Sequence, residues 1–315
     1  MSTSASAAAP ETARGISAIQ WLIVFFGLAA LLVGINMLIA WRMDVFGILR
    51  DAHGRALITS DHERKQKYLL NQGYVPENFN ALLIGASASV NWYMSPMAGY
   101  RFYNESLEGG DGTEERKLVE QALPTGHFQA AVVVLYPRLT ALHLLQDGFD
   151  KVKRSEALGS LSLLGVEYDV LHERLTHVKA AASPDGSHAV PVHAPPRPTD
   201  KFPVWEDGFG SDAQAREDYR DLLQELAAKG VKIVYVTYPM YEPGYEPNKE
   251  KYDQYLAEIR QILPPGPVID FNAPEYFSFR NDASNYIDDV HLSASGTEKF
   301  SQVLREQVAT ALAAE

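Results

Sequence analysis

An uncharged apolar run near the N-terminus constrains this chain more than any other feature. The run WLIVFFGLAALLVGINMLIAW extends from Trp21 to Trp41 and holds one strongly polar residue, Asn36. As an α-helix it would be about 31 Å long, which matches the hydrocarbon core of a bilayer. Trp21 and Trp41 stand at its two ends, where indole rings favour the membrane interface. The run therefore predicts a transmembrane anchor over residues 19–41.

A buried core helix and a cleaved signal peptide are the two alternatives for this run. A core helix normally keeps a polar stripe, and this run has none. A signal peptide has a shorter apolar region that small residues follow, whereas here the chain continues with Arg42-Met43-Asp44. One basic residue, Arg14, precedes the run and three follow it nearby, so the flanking charges favour a cytoplasmic domain. Acidic residues count for little in that rule, and a long domain can cross the membrane regardless of its charge. The flanking charges therefore leave the orientation to the functional argument.

The composition of the rest of the chain is that of a globular protein. The 315 residues include 28 basic and 40 acidic side chains, for a net charge of −12, and they form no dense basic run. A nucleic-acid partner is therefore not expected. The absence of cysteine excludes disulfides and thiolate chemistry. We divide the chain into a disordered tail (1–18), the anchor (19–41), a stem and lead-in (42–79) and an α/β domain (80–315).

Short apolar runs alternate with helical patterns after residue 80. The predicted strands are 81–86, 130–136, 231–237 and 267–271, and the predicted helices are 112–123, 212–229, 252–263 and 295–313. Continuous apolar strands that alternate with helices predict a mostly parallel sheet covered on both faces, in three α/β/α layers. A helical insert with a proline-rich stretch is expected at about 150–210.

Ser87 follows the first predicted strand, within Gly85-Ala86-Ser87-Ala88-Ser89. Ligands of parallel sheets bind beyond the carboxyl ends of the strands, so a reactive group is expected at this place. The small neighbours of Ser87 allow a sharp turn that exposes its hydroxyl, as in a nucleophile elbow, although position 89 is not glycine. The alternative is that Ser87 only caps the next helix.

A candidate base for this serine stands just before the last helix. Asp288 and His291 are three residues apart, and in a helical turn this spacing puts both side chains on one side. The carboxylate could then orient the imidazole and fix its tautomer. The alternative is an isolated histidine bonded to its own loop. Together with Ser87, the pattern predicts a Ser–His–Asp triad.

These blocks resemble those of the SGNH (GDSL-type) hydrolases, and among them the membrane-anchored members that O-acylate cell-surface polymers. The serine block is matched at 85–89, the Asn-x-Gly-x-x-Gly block at 104–109 with Ser106 in place of the first glycine, and the Asp-x-x-His block at 288–291. The resemblance spans residues 80–313. It implies a flavodoxin-like sheet, a catalytic triad of Ser87, Asp288 and His291, and an oxyanion hole made by the backbone N–H groups of Ser87 and Gly109.

The third block of that family departs from the pattern in this sequence. The family has an asparagine after the next strand as a side-chain oxyanion donor, and here that strand runs into Tyr136-Pro137-Arg138. The loss of one such donor costs about 2.7–4 kcal/mol of transition-state stabilisation. Arg138 could replace it as a donor, or it could form an ion pair with a surface carboxylate.

The resemblance implies acyl transfer through an acyl-serine intermediate, by an O-acetyltransferase or an acetylesterase. The expected substrates are an acyl ester and a saccharide of the bacterial envelope, and the expected partner is a multispanning membrane acyltransferase. We accordingly expect a single-pass protein of the bacterial inner membrane, held by residues 21–41, with its soluble domain in the periplasm or outside the cell. The alternative is a catalytically silent, anchored module that binds polysaccharide.

No cofactor and no metal ion are predicted. His172 and His177 are five residues apart, which does not place two ligands on one helix face. His188 and His193 lie in the proline-rich stretch without regularly spaced carboxylates. The glycine-rich segment 109–112 is not followed by Gly-Lys-Ser/Thr, so it does not indicate a nucleotide site.

Overall fold

The computed structural model describes residues 17–44, 46, 63–141, 143, 149, 153, 155, 161–176, 183–188 and 211–314. Eleven helices lie within these ranges: α1 (Ala18–Met43), α2 (Glu63–Leu70), α3 (Tyr74–Asn78), α4 (Gly112–Ala122), α5 (Arg138–Ala141), α6 (Leu161–Thr176), α7 (Ala213–Ala228), α8 (Glu242–Tyr245), α9 (Lys249–Ile259), α10 (Phe277–Arg280) and α11 (Ala294–Ala314). The strands are β1 (Ala81–Ile84), β2 (Phe102–Asn104), β3 (Ala130–Leu135), β4 (Lys232–Thr237) and β5 (Val268–Ile269).

The five strands form one parallel sheet in the order β2-β1-β3-β4-β5. This order is the flavodoxin-like arrangement, which reverses direction between β1 and β3. The side chains of β1 and β3 are buried on both faces because helices cover both sides of the sheet. The predicted three-layer α/β/α fold is confirmed.

Local signals place the helices against this sheet. The Asp111 side chain accepts a hydrogen bond from the Glu114 N–H and starts α4, and Asp212 does the same for α7. These two helices pack against each other, and α7 and α11 both contact β4. The apolar side chains of α11 at Phe300, Leu304 and Val308 are buried at the helical spacing expected for a single packed face.

The N-terminal helix α1 differs from all the others. Its Ser17–Gln20 capping box fixes the start, and Asp44 in a left-handed conformation ends it. Its most apolar 18 residues have a mean hydropathy of 2.6, and none of them is buried. By length and composition α1 is able to cross a membrane, a property that a signal sequence shares.

Six of these helices and strands were not predicted from the sequence, namely β2, α2, α3, α5, α8 and α10. Leu69 and Leu70 of α2 and Val75 of α3 lie in the main core with the strands of the sheet. The segment between α1 and β1 therefore contributes to the packed domain from residue 63 onward. The predicted tail (1–18) and the proline-rich stretch beyond residue 188 lie outside the described residues, apart from Ser17 and Ala18.

Candidate active site

Ser87 lies in a tight turn just after β1. The chain leaves the strand at Gly85 and forms a single 3-10 turn at Ser87–Ser89. A Cβ on Gly85 would lie 2.1 Å from the Ser89 Oγ and 3.1 Å from the Ser106 Oγ, so any side chain there would displace the Ser89 hydroxyl. This close packing bends the chain sharply and puts the half-buried Ser87 at the carboxyl edge of the sheet.

The local hydrogen bonds do not give Ser87 the role of a helix cap. The turn spans only three residues, and the hydroxyl that bonds back to its backbone is that of Ser89, which donates to the Ala86 carbonyl at 3.0 Å. The Ser87 side chain instead lies near enough to the Tyr136 hydroxyl to lower its pKa. Ser87 therefore faces the end of β3, the neighbouring strand.

Asn104 fixes the turn to the second block. Its side-chain amide donates to the carbonyl oxygens of Ser89 at 2.8 Å and Trp92 at 2.9 Å. Its Oδ1 accepts from the Ser106 N–H at 2.9 Å, and the Ser89 and Ser106 hydroxyls lie 2.8 Å apart. Asn104 is buried, so its amide acts as a structural connector between β2 and the Ser87 turn.

Asp288 and His291 form a close pair in the loop before α11. The His291 Nδ1 lies 2.9 Å from each oxygen of the Asp288 carboxylate. Burial disfavours the charged carboxylate, but hydrogen bonds from the His291 ring and from the backbone N–H groups of His291 and Val290 outweigh it and lower the pKa of Asp288. An ionised carboxylate only accepts, so it fixes the proton on Nδ1 and leaves Nε2 as an acceptor.

The serine block and the histidine block are joined through Asn91. Four residues after Ser87, the Asn91 Nδ2 donates to the Leu292 carbonyl at 3.3 Å and to the Thr297 Oγ1 at 2.9 Å. Since Leu292 follows His291, the two blocks run side by side. The Tyr136 pKa, which Ser87 lowers, is raised by the charge of Asp288. Direct contact between Ser87 and His291 stays a prediction.

Gly109 stands in a backbone conformation that favours glycine. Its φ is +64°, in the left-handed region, and a Cβ there would meet no neighbouring atom within 4 Å. The backbone conformation, and not a lack of space for a side chain, therefore explains why residue 109 is a glycine. That its N–H points to the oxyanion position stays a prediction from the resemblance.

Arg138 begins α5, two residues after Tyr136. Its Nε is buried and has no hydrogen-bond partner among the described residues. Within the same ranges, no carboxylate lies at ion-pair distance from its guanidinium, and its positive charge acts on the Tyr136 hydroxyl. The proposed role of Arg138 as an oxyanion donor remains a prediction.

Helix α2 holds the loop that carries Gly109, and sequence reasoning missed this. The Lys67 Nζ donates to the Ser106 carbonyl at 2.6 Å, and the Arg64 guanidinium donates to the Glu108 carbonyl at 2.9 Å. The Glu108 N–H in turn donates to the Glu63 carboxylate at 3.2 Å. Two turns of one helix thus bind the backbone of residues 106–108 at three points. We call these three side chains the α2 clamp.

Buried charges surround the α2 clamp. Burial raises the pKa of Glu63, but Lys67 at 3.2 Å and His188 reverse this and bring it to about 2. Burial dominates at Glu105 and raises its pKa to about 7, although Lys67 and a hydrogen bond from Asn71 act in the opposite direction. Neighbouring carboxyl groups therefore ionise at different pH because their partners differ.

His188 links the described part of the insert to the same loop. Its ring nitrogens lie 3.0 Å from the Glu63 carboxylate and 3.5 Å from the Glu108 carboxylate. Its backbone N–H donates to the Val90 carbonyl at 2.7 Å. Burial lowers the pKa of His188, but the bonds to both carboxylates raise it overall. The sequence did not reveal these partners because they are about 80 and 125 residues away along the chain.

A cavity of about 340 Å³ opens beside Asn91 and His188, and Ser87, Asp288 and His291 are not among its lining residues. Hydroxyl, amide, carboxylate and imidazole groups line it, among them those of Asn91, Tyr93, Asp185, His188 and Thr297. The volume is at the lower end of the range for small-molecule sites. In the part of the chain that the structure describes, no group of three or more His, Asp or Glu side chains is placed to hold a metal ion.

Comparisons with known proteins find similarity only at the level of structure. No protein-family model and no curated protein matches the sequence. A structure described as a platelet activating factor from Streptococcus pneumoniae shares 12% identity at a TM-score of 0.44, covering 79% of this chain and 92% of that one. A lipase/acylhydrolase from Enterococcus faecalis shares 10% identity at a TM-score of 0.38, covering 73% and 96%. Similarity at this level assigns no family to the chain.

Proposed function

We propose that this protein is a membrane-anchored, serine-dependent acyl-transfer enzyme that acts on a polysaccharide of the cell envelope. One observation carries the proposal: the His291 Nδ1 lies 2.9 Å from both Asp288 oxygens, on a loop that Asn91 bonds to the segment after Ser87. A serine hydroxyl is a weak nucleophile until a base takes its proton, and a carboxylate that orients this base completes the arrangement.

The reaction begins with attack of the Ser87 Oγ on the carbonyl carbon of an acyl ester. The Ser87 proton passes to the His291 Nε2, and the carbonyl electron pair moves onto oxygen. When the tetrahedral intermediate collapses, the bond to the leaving alkoxide breaks and His291 returns the proton to it. The acyl–Ser87 ester is then cleaved by water or by a sugar hydroxyl, with His291 again acting as the base.

The cavity beside Asn91 and His188 supports a saccharide as acceptor. Its hydroxyl, amide and carboxylate groups suit a ligand rich in hydroxyl groups, and Asn91, four residues after Ser87, is one of its lining residues. An O-acetyltransferase and an acetylesterase both pass through the same acyl-serine and both bind a saccharide, so the cavity suits either activity.

The apolar helix α1 supports a membrane anchor for this activity. We place the protein in the bacterial inner membrane with the soluble domain in the periplasm or outside the cell, because the polysaccharide acceptor is there. A multispanning membrane acyltransferase is the proposed donor of acyl groups. The flanking positive charges argue for the opposite orientation, and a reporter fused to the C-terminus decides between the two.

The acyl content of the surface polysaccharide tests the function. In a strain that carries Ser87→Ala at the wild-type protein level, we expect O-acyl groups on the polymer to be lost. The matched control is Ser278→Ala, which changes an exposed serine of α10 and should leave the acyl content unchanged. Unchanged acylation in Ser87→Ala, with the polymer still bound, contradicts the enzyme and supports a catalytically silent polysaccharide-binding module.

A further inference from the structure

Tyr136 stands beside Ser87 because of the sheet topology. It directly follows β3, and β3 pairs with β1 in parallel register up to Ile84 and Val133. Ser87 follows β1 in the same way, so both side chains leave adjacent strands at the carboxyl edge. The strand order reverses between β1 and β3, which is where open α/β sheets bind their ligands.

The Tyr136 ring is held rigidly in this place. The residue is 4% exposed, and its ring meets that of Tyr238 edge to face with centroids 4.8 Å apart and an interplanar angle of 84°. The Ser87 side chain is near enough to lower the pKa of its hydroxyl. A hydroxyl held rigidly beside a candidate nucleophile is already oriented before any substrate arrives.

The electrostatic surroundings keep this hydroxyl a donor. Burial, with a smaller contribution from Asp288 and Asp289, raises the pKa of Tyr136 above its ordinary value. The phenol therefore stays protonated over the pH range of enzyme activity. The charge of Arg138 acts in the opposite direction and makes the phenol a stronger donor than burial alone would.

We propose that Tyr136 is a catalytic residue whose hydroxyl donates a hydrogen bond to the oxyanion formed when Ser87 attacks an ester. The inference rests on the proposed function. As the Ser87 Oγ bonds to the carbonyl carbon, its proton goes to His291 and the carbonyl electron pair goes to oxygen. The Tyr136 O–H then donates to that oxygen and keeps its proton throughout. Tyr136 directly follows the strand that pairs with β1, which places it nearer to Ser87 than Arg138, two residues further along the chain.

Tyr136→Phe tests this role because it removes one oxygen and keeps the buried ring. The full-length protein is assayed in detergent for p-nitrophenyl acetate turnover and for labelling of Ser87 by a serine-directed phosphonate. We expect kcat to fall about 100-fold to 1,000-fold with KM nearly unchanged, as for the loss of one oxyanion donor. The acid limb of the pH–rate profile should stay where it is, because His291 and not Tyr136 is the base.

Tyr238→Phe is the matched control, since it makes the same change in the ring that packs on Tyr136. Its kcat should equal that of the wild type. Equal kcat for Tyr136→Phe and wild type overturns the role of Tyr136 alone. An equal loss of kcat in both variants, or a loss accompanied by a lower unfolding temperature, also overturns this role. Either result would show that Tyr136 acts only through packing. A wild type without turnover and without Ser87 labelling overturns the proposed function together with this inference.

Discussion

Glu105 is a fully buried carboxyl group that precedes the loop held by the α2 clamp. Burial is the largest influence on it and raises its pKa from 4.5 to about 7. The opposite is true of Glu63, whose pKa is about 2 because Lys67 and His188 outweigh the effect of burial. Glu63 therefore stabilises the fold above pH 4.5 and loses this contribution as the pH falls towards 2, whereas ionised Glu105 destabilises the fold.

Glu105→Gln should remove a pH dependence of stability. The folded protein keeps the Glu105 proton between about pH 4.5 and 7, where the unfolded chain has lost it, so the free energy of unfolding falls by about 3 kcal/mol as pH rises through this range. The neutral amide can still accept from Asn71 and has no charge to bury. Denaturant unfolding between pH 5 and 8 measures the difference. The same decline in the variant as in the wild type would contradict this account of Glu105.

At the scale of residues, the sequence reveals contacts between neighbours in the chain but not contacts between distant segments. Asp288 and His291 are three residues apart, so one turn brings them together and the pattern alone suggested the pair. Tyr136 and His188 come close to Ser87 and Glu63 only because the sheet and the insert bring distant segments together. No periodicity in the sequence indicates such a neighbour, so the sequence showed both residues without these partners.

Helix α2 shows the same limit at the scale of elements. Its sequence ERKQKYLL reads as a charged, exposed stem, yet Glu63 and Lys67 are buried with exposures of 1% and 0%. A buried lysine is tolerated because the Glu63 carboxylate and the Ser106 carbonyl take its donors. Likewise β2 has only three residues and no apolar run, so the four strands predicted from hydrophobic patterns did not include it.

Lys67→Met should disturb both the fold and the loop that carries Gly109. The change leaves Glu63 buried without its lysine and frees the Ser106 carbonyl, a type of loss that costs about 3–5 kcal/mol. We expect a lower unfolding temperature together with a lower kcat. Lys65→Met is the control, because Lys65 is exposed on the same helix and surface changes shift stability by about 0.5 kcal/mol at most. Equal unfolding temperatures for the two variants would argue against the α2 clamp.

The whole molecule combines an apolar helix with a parallel α/β domain. Strand–helix alternation predicted the three layers correctly, since continuous apolar strands are stable only when helices cover both faces. The order of the strands came from the resemblance, because hydrophobic patterns carry no information on which strands are neighbours. Helix α1 is exposed along its apolar length, with Leu32 at 66% and Phe26 at 63%, which is unfavourable in water and favourable in a bilayer.

The anchor makes a prediction about the behaviour of the whole chain. The full-length protein should stay with membranes through extraction at high pH and enter solution only with detergent, because an apolar helix of about 20 residues is long enough to span the bilayer core. Its purified N-terminal region should still contain residues 21–41 by mass spectrometry. Release into the aqueous fraction, with a new N-terminus after the apolar run, would show a cleaved signal sequence instead.

The central claim is that Ser87 carries the acyl group. The most direct measurement is mass spectrometry of the full-length protein, in detergent, after incubation with a serine-directed phosphonate. We expect a single adduct on the peptide that contains Ser87, lost in Ser87→Ala and strongly reduced in Asp288→Asn, which removes the charge that orients His291. An unmodified Ser87, or an adduct that persists in Ser87→Ala, would contradict the claim.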